Sequence, residues 1–217
     1  ASSNDEAKQL LTGVNLNFDG TKMKAAATDG HRLAVFDMKN ALKDELSFLG
    51  DDNESGLSVT LPARSLREVE KIVLSWKKNE PISLFLDKGQ VVLLAEDQIL
   101  TSRTLEGNYP NYSQLIPNDF SKRIKINKDL FVSSLERIAV LADQHNNVVK
   151  LNIDSINNEL NISADVQDVG SGSESFSIEN SGDSIEIAFN VRYLLEGLKA
   201  IQTDNIILNC NAPTTPA

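Results

Sequence analysis

One grammar recurs three times along this chain, and it narrows the folds open to it. Each copy is a short strand, then Pro or Asn, then an amphipathic helix. The copies are Val59-Thr60-Leu61-Pro62 before a helix over 63–78, Ile124-Lys125-Ile126-Asn127 before a helix over 128–142, and Ile187-Ala188-Phe189-Asn190 before a helix over 191–201. Pro suits a helix entry because its missing N–H is not needed in the first turn, and Asn because its side chain accepts from an orphan N–H. The copies lie roughly 64 residues apart, a period that marks a repeated supersecondary block. The opening of the chain fits as a fourth copy, with its helix over 5–12. Alternating apolar and polar residues predict strands after the helices, at 14–18, 82–86 and 148–153. Tight turns such as Asp19-Gly20 and Asp87-Lys88-Gly89 join them to their neighbours. The expected fold class is α+β, in pseudo-symmetric repeats of one helix plus antiparallel strands, with the helices on one face of the sheets. Two blocks make one domain. The polar turn Pro117-Asn118-Asp119 divides two such domains, 1–119 and 120–217.

Charge is distributed unevenly on the helices. Over 63–78, Leu66, Val69, Ile72, Val73 and Trp76 fall on one side and face a sheet. Arg64, Arg67, Lys71 and Lys78 fall on the other, with Glu68 and Glu70 at its flanks. A solvated face and a face turned to a polyanion both fit this pattern, although the centre of the face is all basic. Lys8, Arg192 and Lys199 add positive charge on the first and last helices. The helix over 128–142 carries a core stripe of Leu130, Phe131, Leu135, Ile138 and Leu141. Val140 falls on its far side, among Asp129, Ser133 and Glu136.

Composition excludes several classes. The net charge is −10, which taken alone argues against a nucleic-acid partner. What a nucleic acid meets is the local field, however, and a basic face can sit on an acidic body. With one cysteine, Cys210, the chain has no internal disulfide, as suits a reducing compartment. No His or Asp motif accompanies Cys210, so it reads as a small strand residue. No apolar run approaches the ~18 residues of a membrane span, and no signal peptide is evident. The expectation is a cytoplasmic protein that does not engage membranes. There is no G-x-x-x-x-G-K-[ST], G-x-S-x-G or H-E-x-x-H pattern. Gly170-Ser171-Gly172-Ser173-Glu174-Ser175 lacks the Lys of a phosphate cradle. His31, His145 and Cys210 make a poor metal set. No catalysis, cofactor or metal is expected.

The densest motif is Ala26-Ala27-Thr28-Asp29-Gly30-His31-Arg32-Leu33-Ala34-Val35. An ordinary hairpin turn explains Asp29-Gly30. It does not explain why a Thr, a His and an Arg crowd the same turn, and that crowding reads as a surface built to be touched. Two further segments stand out: Glu106-Gly107-Asn108-Tyr109-Pro110-Asn111-Tyr112, running on to Leu115-Ile116-Pro117, and Phe189-Asn190-Val191-Arg192-Tyr193-Leu194. Together the three resemble the A-T-D-G-H-R-L-A signature, the G-x-[FY]-P-x-Y segment and the F-N-x-x-Y-L segment of the bacterial sliding clamp, the beta subunit of DNA polymerase III. They occur in the family's order and at about its spacing, and the resemblance covers nearly the whole chain.

The resemblance implies a DNA-clamp fold, with helices lining a channel for duplex DNA and sheets outside. It implies a non-catalytic processivity factor that holds the replicative polymerase to its template. The chain corresponds to most of the middle domain and most of the last. The first domain and the closing strand, with its Met-Pro end, are expected to lie outside it. Family members close as head-to-tail dimers, so this chain alone is expected not to close a ring. Lys8, Arg64, Arg67, Lys71, Lys78, Arg192 and Lys199 would face the DNA, through sequence-independent phosphate contacts. Val140, with Leu141 beside it, would border the dimer interface.

The family also docks a short linear peptide, from polymerase, clamp loader and other clamp-binding proteins, in one hydrophobic pocket between the middle and last domains. Matched residue by residue, the pocket would take in Leu11, Thr28, Gly30, His31, Arg32, Leu33, Pro110, Gln114, Leu115, Asn190 and Tyr193. Leu11, Leu33, Pro110 and Leu115 suit leucine and phenylalanine side chains. Gly30 allows close backbone approach. Arg32, His31, Asn190 and Tyr193 offer hydrogen bonds, in the usual pattern of an apolar slot with few polar anchors. Gln114 departs from the basic residue of many relatives, and without the closing strand the peptide affinity is expected to be lower. Read without the resemblance, Tyr193 is also an amphipathic helix residue, Pro110 a turn former and His31 a solvated tip. The rival reading of the whole chain is a repeat-built protein-interaction module with no DNA role. A small hydrolase using His31 and Asp29 is a third, opposed by the lack of a nearby nucleophile.

Overall fold

The computed structural model describes residues 1–19, 22–38, 57–75, 83–87, 89–95, 98–142, 147–166 and 170–217. Trp76, Lys78, Gly20, Lys88 and His145 lie outside them. The chain separates into two compact units, Ala1–Pro110 and Asn111–Ala217. The division falls upstream of the Pro117-Asn118-Asp119 turn expected from sequence. The reason is local: the Ser121 N–H donates to Asn211 Oδ1 at 2.7 Å and Asn211 Nδ2 donates to the Asp119 carbonyl at 3.0 Å, so this stretch is fastened to the second unit.

The first unit opens with a 3-10 stretch, Glu6–Thr12, where an α-helix was expected over 5–12. Asp5 caps it by accepting from the Ala7 N–H, but Lys8 leaves the helical region (φ −100°, ψ 54°). The stretch buries no residue, so nothing repays the nucleation cost of a longer helix. Strands β1 (Gly13–Asp19), β2 (Lys22–Thr28), β3 (Leu33–Met38) and β4 (Leu57–Pro62) form an antiparallel sheet in the order β3-β2-β1-β4. β4 leads directly into α1 (Ala63–Ser75), followed by the sheet β5 (Ser83–Asp87), β6 (Gln90–Ala95) and β7 (Gln98–Arg103). Leu16, Phe18, Leu61, Val91 and Leu93 are the buried centre, with Leu66 and Val69 of α1 packed against it. Val73, expected in that stripe, is exposed, as is Leu74.

The second unit repeats the plan. Strand β8 (Lys122–Asn127) leads into α2 (Lys128–Ala142). β9 (Val148–Asp154), β10 (Glu159–Val166), β11 (Gly170–Ser177), the short β12 (Glu179–Ser181) and β13 (Ile185–Asn190) follow. β13 leads into α3 (Val191–Ala200), and β14 (Asn205–Cys210) completes the unit. The larger sheet runs β11-β10-β9-β13, the same order as β3-β2-β1-β4 in the first unit; the smaller runs β12-β8-β14. All three strand–Pro/Asn–helix junctions read from the sequence are present, at Pro62, Asn127 and Asn190.

The core of the second unit is the inward alternation of its strands closed by two helices: Val149, Leu151 and Ile153 of β9, Leu160 and Ile162 of β10, Ile185 and Ile187 of β13, Phe131, Leu135, Ile138 and Ala142 of α2, and Val191 and Leu198 of α3. Phe131 meets Phe176 edge to face, with ring centroids 6.4 Å apart. The stripe of α2 is rotated from the expected one. Ser134 and Ala142 are buried, while Leu130 is 42% exposed, because 131, 134/135, 138 and 142 follow the helical period and 130 falls one residue outside it. Cys210 is fully buried in β14, and burial pushes its thiol up despite the nearby Lys122.

Candidate partner-peptide and DNA-facing residues

In the first unit, the β2–β3 connection holds five of the expected pocket residues. Thr28 and Leu33 are register partners, so residues 29–32 form the loop between them. Asp29 organises that loop. Its Oδ1 accepts from the His31 N–H at 2.9 Å and the Arg32 N–H at 3.0 Å, and its Oδ2 from Arg32 Nε at 3.0 Å. Thr28 works from the strand side. Its hydroxyl donates to the Arg32 carbonyl at 2.7 Å and accepts from the Gly30 N–H at 3.1 Å. The Asp29 side chain is 14% exposed and that of Arg32 23%. Burial alone would raise the Asp29 carboxyl, but the two backbone N–H groups and the Arg32 guanidinium outweigh it and hold it below the usual carboxylate range. Gly30 sits at φ +93°, where side chains are strained, and a Cβ built there meets nothing within 4 Å. Its face of the loop is open, as close approach requires.

Two other pieces of this unit are tied in. The Thr28 N–H donates to the Tyr109 hydroxyl at 3.0 Å, which fastens the segment carrying Pro110 to the loop. Gly107, at φ +120°, packs on Leu10, so that segment also rests on the 3-10 stretch that carries Leu11. Leu11 is half-buried, and Pro110 and His31 are exposed.

In the second unit, Gln114 and Leu115 lie in a 3-10 turn, Tyr112–Leu115, with Leu115 65% exposed. Asn190 caps α3: its Oδ1 accepts from the Arg192 N–H at 3.0 Å and the Tyr193 N–H at 3.3 Å. Tyr193 stands in the first turn that this cap holds, half-buried. The sequence offers Arg32, His31, Asn190 and Tyr193 for hydrogen bonds to a peptide; in the structure Arg32 Nε and Asn190 Oδ1, like the Thr28 hydroxyl, bond within their own unit. The expected pocket includes neither Asp29 nor Tyr109, and Asp29 enters only the hydrolase reading. The signal available for Asp29 was the habit of Asp to accept from backbone N–H groups two and three residues on.

The basic residues behave differently from one another. Arg64 and Arg67 are exposed on α1, but Lys71 Nζ is paired with Glu68 at 2.7 Å. Lys199 of α3 is likewise paired with Glu136 of α2 at 2.7 Å. Lys8 and Arg192 are exposed. Val140 is 70% exposed on α2. Leu141 instead packs inward; its Cδ1 lies where a Cβ on Gly172 of β11 would stand. Among the described residues, no group of three or more His, Cys, Asp or Glu could hold a metal ion, and no helix is long and apolar enough to cross a membrane.

Comparison with known proteins agrees with both halves. Residues 1–111 match the central domain of the DNA polymerase III beta subunit, and residues 113–217 its C-terminal domain. The chain is 47% identical over 216 residues to the beta sliding clamp of Synechococcus elongatus, covering all of this chain and 56% of that protein. It is 42% identical to the beta sliding clamp of Synechocystis, again over all of this chain and 56% of the relative. The crystal structure of the Bacillus subtilis DNA polymerase sliding clamp superposes with a TM-score of 0.88 at 28% identity, over 99% of this chain and 54% of that one. The chain thus spans about half the length of the curated relatives it matches. With the sheet order repeated from unit to unit and the three motifs folded as described, this chain belongs to the DNA polymerase III beta subunit family, the sliding clamps, and spans their central and C-terminal domains.

Proposed function

We propose that the chain serves as part of a DNA sliding clamp: a non-catalytic, cytoplasmic processivity factor that encircles duplex DNA as a head-to-tail dimer and holds DNA polymerase III, the clamp loader and other partners by a short peptide. The observation that carries the reading is the loop 29–32. The Asp29 carboxylate, held by two backbone N–H groups and Arg32 Nε, fixes the loop's shape while Gly30 is left open, which is the construction expected of a preformed binding surface. In this reading Leu11, Leu33, Pro110 and Leu115 supply apolar contact, and His31, Arg32, Gln114 and Tyr193 polar contact. Arg64, Arg67, Lys8 and Arg192 meet phosphates. Lys71 and Lys199 contribute less, because each already has a carboxylate partner. Val140 borders the dimer contact.

The test is a fluorescence-polarisation titration of a labelled Gln-Leu-Ala-Leu-Phe peptide against the 217-residue chain, with Tyr193→Ala beside it. Saturable binding, weakened by the substitution, is the expected result; no binding by a chain extended to full family length would refute the reading.

A protein-interaction module without a DNA role is favoured by the net charge of −10 and by the local pairing of Lys71 and Lys199. The two readings separate on salt dependence. A clamp loses DNA association steeply as salt rises, and Arg64→Glu with Arg67→Glu in a full-length ring weakens it further.

A further inference from the structure

We propose that Asp29 and Tyr109 are positioning residues for peptide recognition, acting through the loop 29–32 and through Pro110; the proposal rests on the peptide-binding reading above. The ladder between β1 and β2 ends at the pair Asn15 and Ala26, short of Thr28. The half-buried Thr28 N–H therefore has no strand partner on that side, and such a group is costly to leave unmade. The Tyr109 hydroxyl supplies the acceptor, across 81 residues of sequence. Tyr109 precedes Pro110, and a residue before Pro is held to extended backbone. Anchoring the hydroxyl thus sets where Pro110 stands relative to the loop. From the other end, Asp29 holds three of the loop's donors, including Arg32 Nε. Leu105 reinforces this arrangement: its N–H donates to the Thr60 carbonyl at 2.8 Å, so the segment leaving β7 is docked on β4 before it reaches Tyr109. An apolar residue (Pro110), an open backbone (Gly30) and a cation (Arg32) are thereby fixed in one geometry before any peptide arrives. Fixing them beforehand removes an ordering cost that binding would otherwise carry.

The experiment measures peptide Kd and thermal midpoint together for wild type, Tyr109→Phe, Asp29→Asn, Asp29→Ala, Tyr193→Ala and Val91→Ala, at a temperature where all remain folded. Tyr109→Phe removes one oxygen and nothing else. Asp29→Asn keeps an acceptor for the two backbone donors and loses the charge facing Arg32; Asp29→Ala loses both. The expected result is weakening by about fivefold for Tyr109→Phe, with Asp29→Ala weaker than Asp29→Asn. Val91→Ala, a cavity in the buried centre of the same unit, lowers the midpoint and leaves Kd unchanged. That contrast separates positioning from stability, since a merely structural role moves the midpoint and leaves Kd alone. Wild-type affinity in both Tyr109→Phe and Asp29→Ala, with Tyr193→Ala still impaired, overturns the proposal and spares the peptide reading. Absence of binding by wild type overturns both.

Discussion

Replacing Asn190 by alanine takes away the acceptor of two backbone N–H groups at the start of α3. One of them, from Arg192, is at a full hydrogen-bond distance of 3.0 Å, and the other, from Tyr193, is longer at 3.3 Å. An N-cap Asn replaced by Ala costs about 1 kcal/mol, and the shared geometry here places the loss near that figure rather than at twice it. α3 has ten residues, too few to persist without tertiary support and its caps. For a unit of this size about 1 kcal/mol lowers the melting midpoint by roughly 4–8 °C. Asn190→Asp keeps the acceptor and puts a carboxylate at a helix N-terminus that has no acidic residue in its first turn, so it restores the midpoint or exceeds it. Calorimetry reads the midpoint, and hydrogen exchange of the Arg192 and Tyr193 amides reads the cap directly. The reasoning fails if Asn190→Ala melts with wild type, or if Asn190→Asp falls below it. Peptide titration adds a sharper condition. Because Oδ1 is the atom in use, Asn190→Asp is expected to restore binding along with stability. Restored melting with binding still lost would mean that the side-chain amide donates to the peptide itself.

Two further outcomes follow from the packing and the charges. Gly107→Ala meets both a φ of +120° and a Leu10 methyl 2.9 Å from the new Cβ, so urea unfolding should show a loss of roughly 1–3 kcal/mol; an unchanged midpoint would contradict the packing of the 3-10 stretch on this segment. Glu174 of β11 is gripped by both Nε and Nη2 of Arg137, and this, with the Ser134 hydroxyl, lowers its carboxyl from 4.5 to about 2. A depressed carboxyl stabilises the fold above its unfolded value and loses that contribution as pH falls. The stability difference between wild type and Glu174→Gln should therefore be constant at neutral pH and shrink between about 4.5 and about 2. A difference that does not change over that window would show that the pair carries no linkage.

The repeat was legible because its punctuation is chemical. Pro62, Asn127 and Asn190 mark helix entries whatever surrounds them, and α2 begins and ends where the 3.6-residue period begins and ends. The 3-10 form of Glu6–Thr12 was not legible, since seven residues carry too few turns for periodicity to tell a helix from a tighter coil. The rotation of the α2 stripe escaped for a related reason: Leu130 and Phe131 are both apolar, and only packing decides which of two neighbours turns inward. At the site, residue types disclosed which groups can bond but not with what. Thr28, Arg32 and Asn190 look alike as ligand donors or as scaffold until the short contacts inside the loop and the cap are known, and backbone N–H groups compete for every nearby oxygen. Asp29 illustrates the consequence. A carboxylate beside His31 and Arg32 invites a reading as acid, base or ligand contact. Its two oxygens instead take three donors from the same loop, which leaves it to act through the shape it imposes. The shape of this turn is set less by the residues aimed outward than by the inner ones that leave Gly30 open.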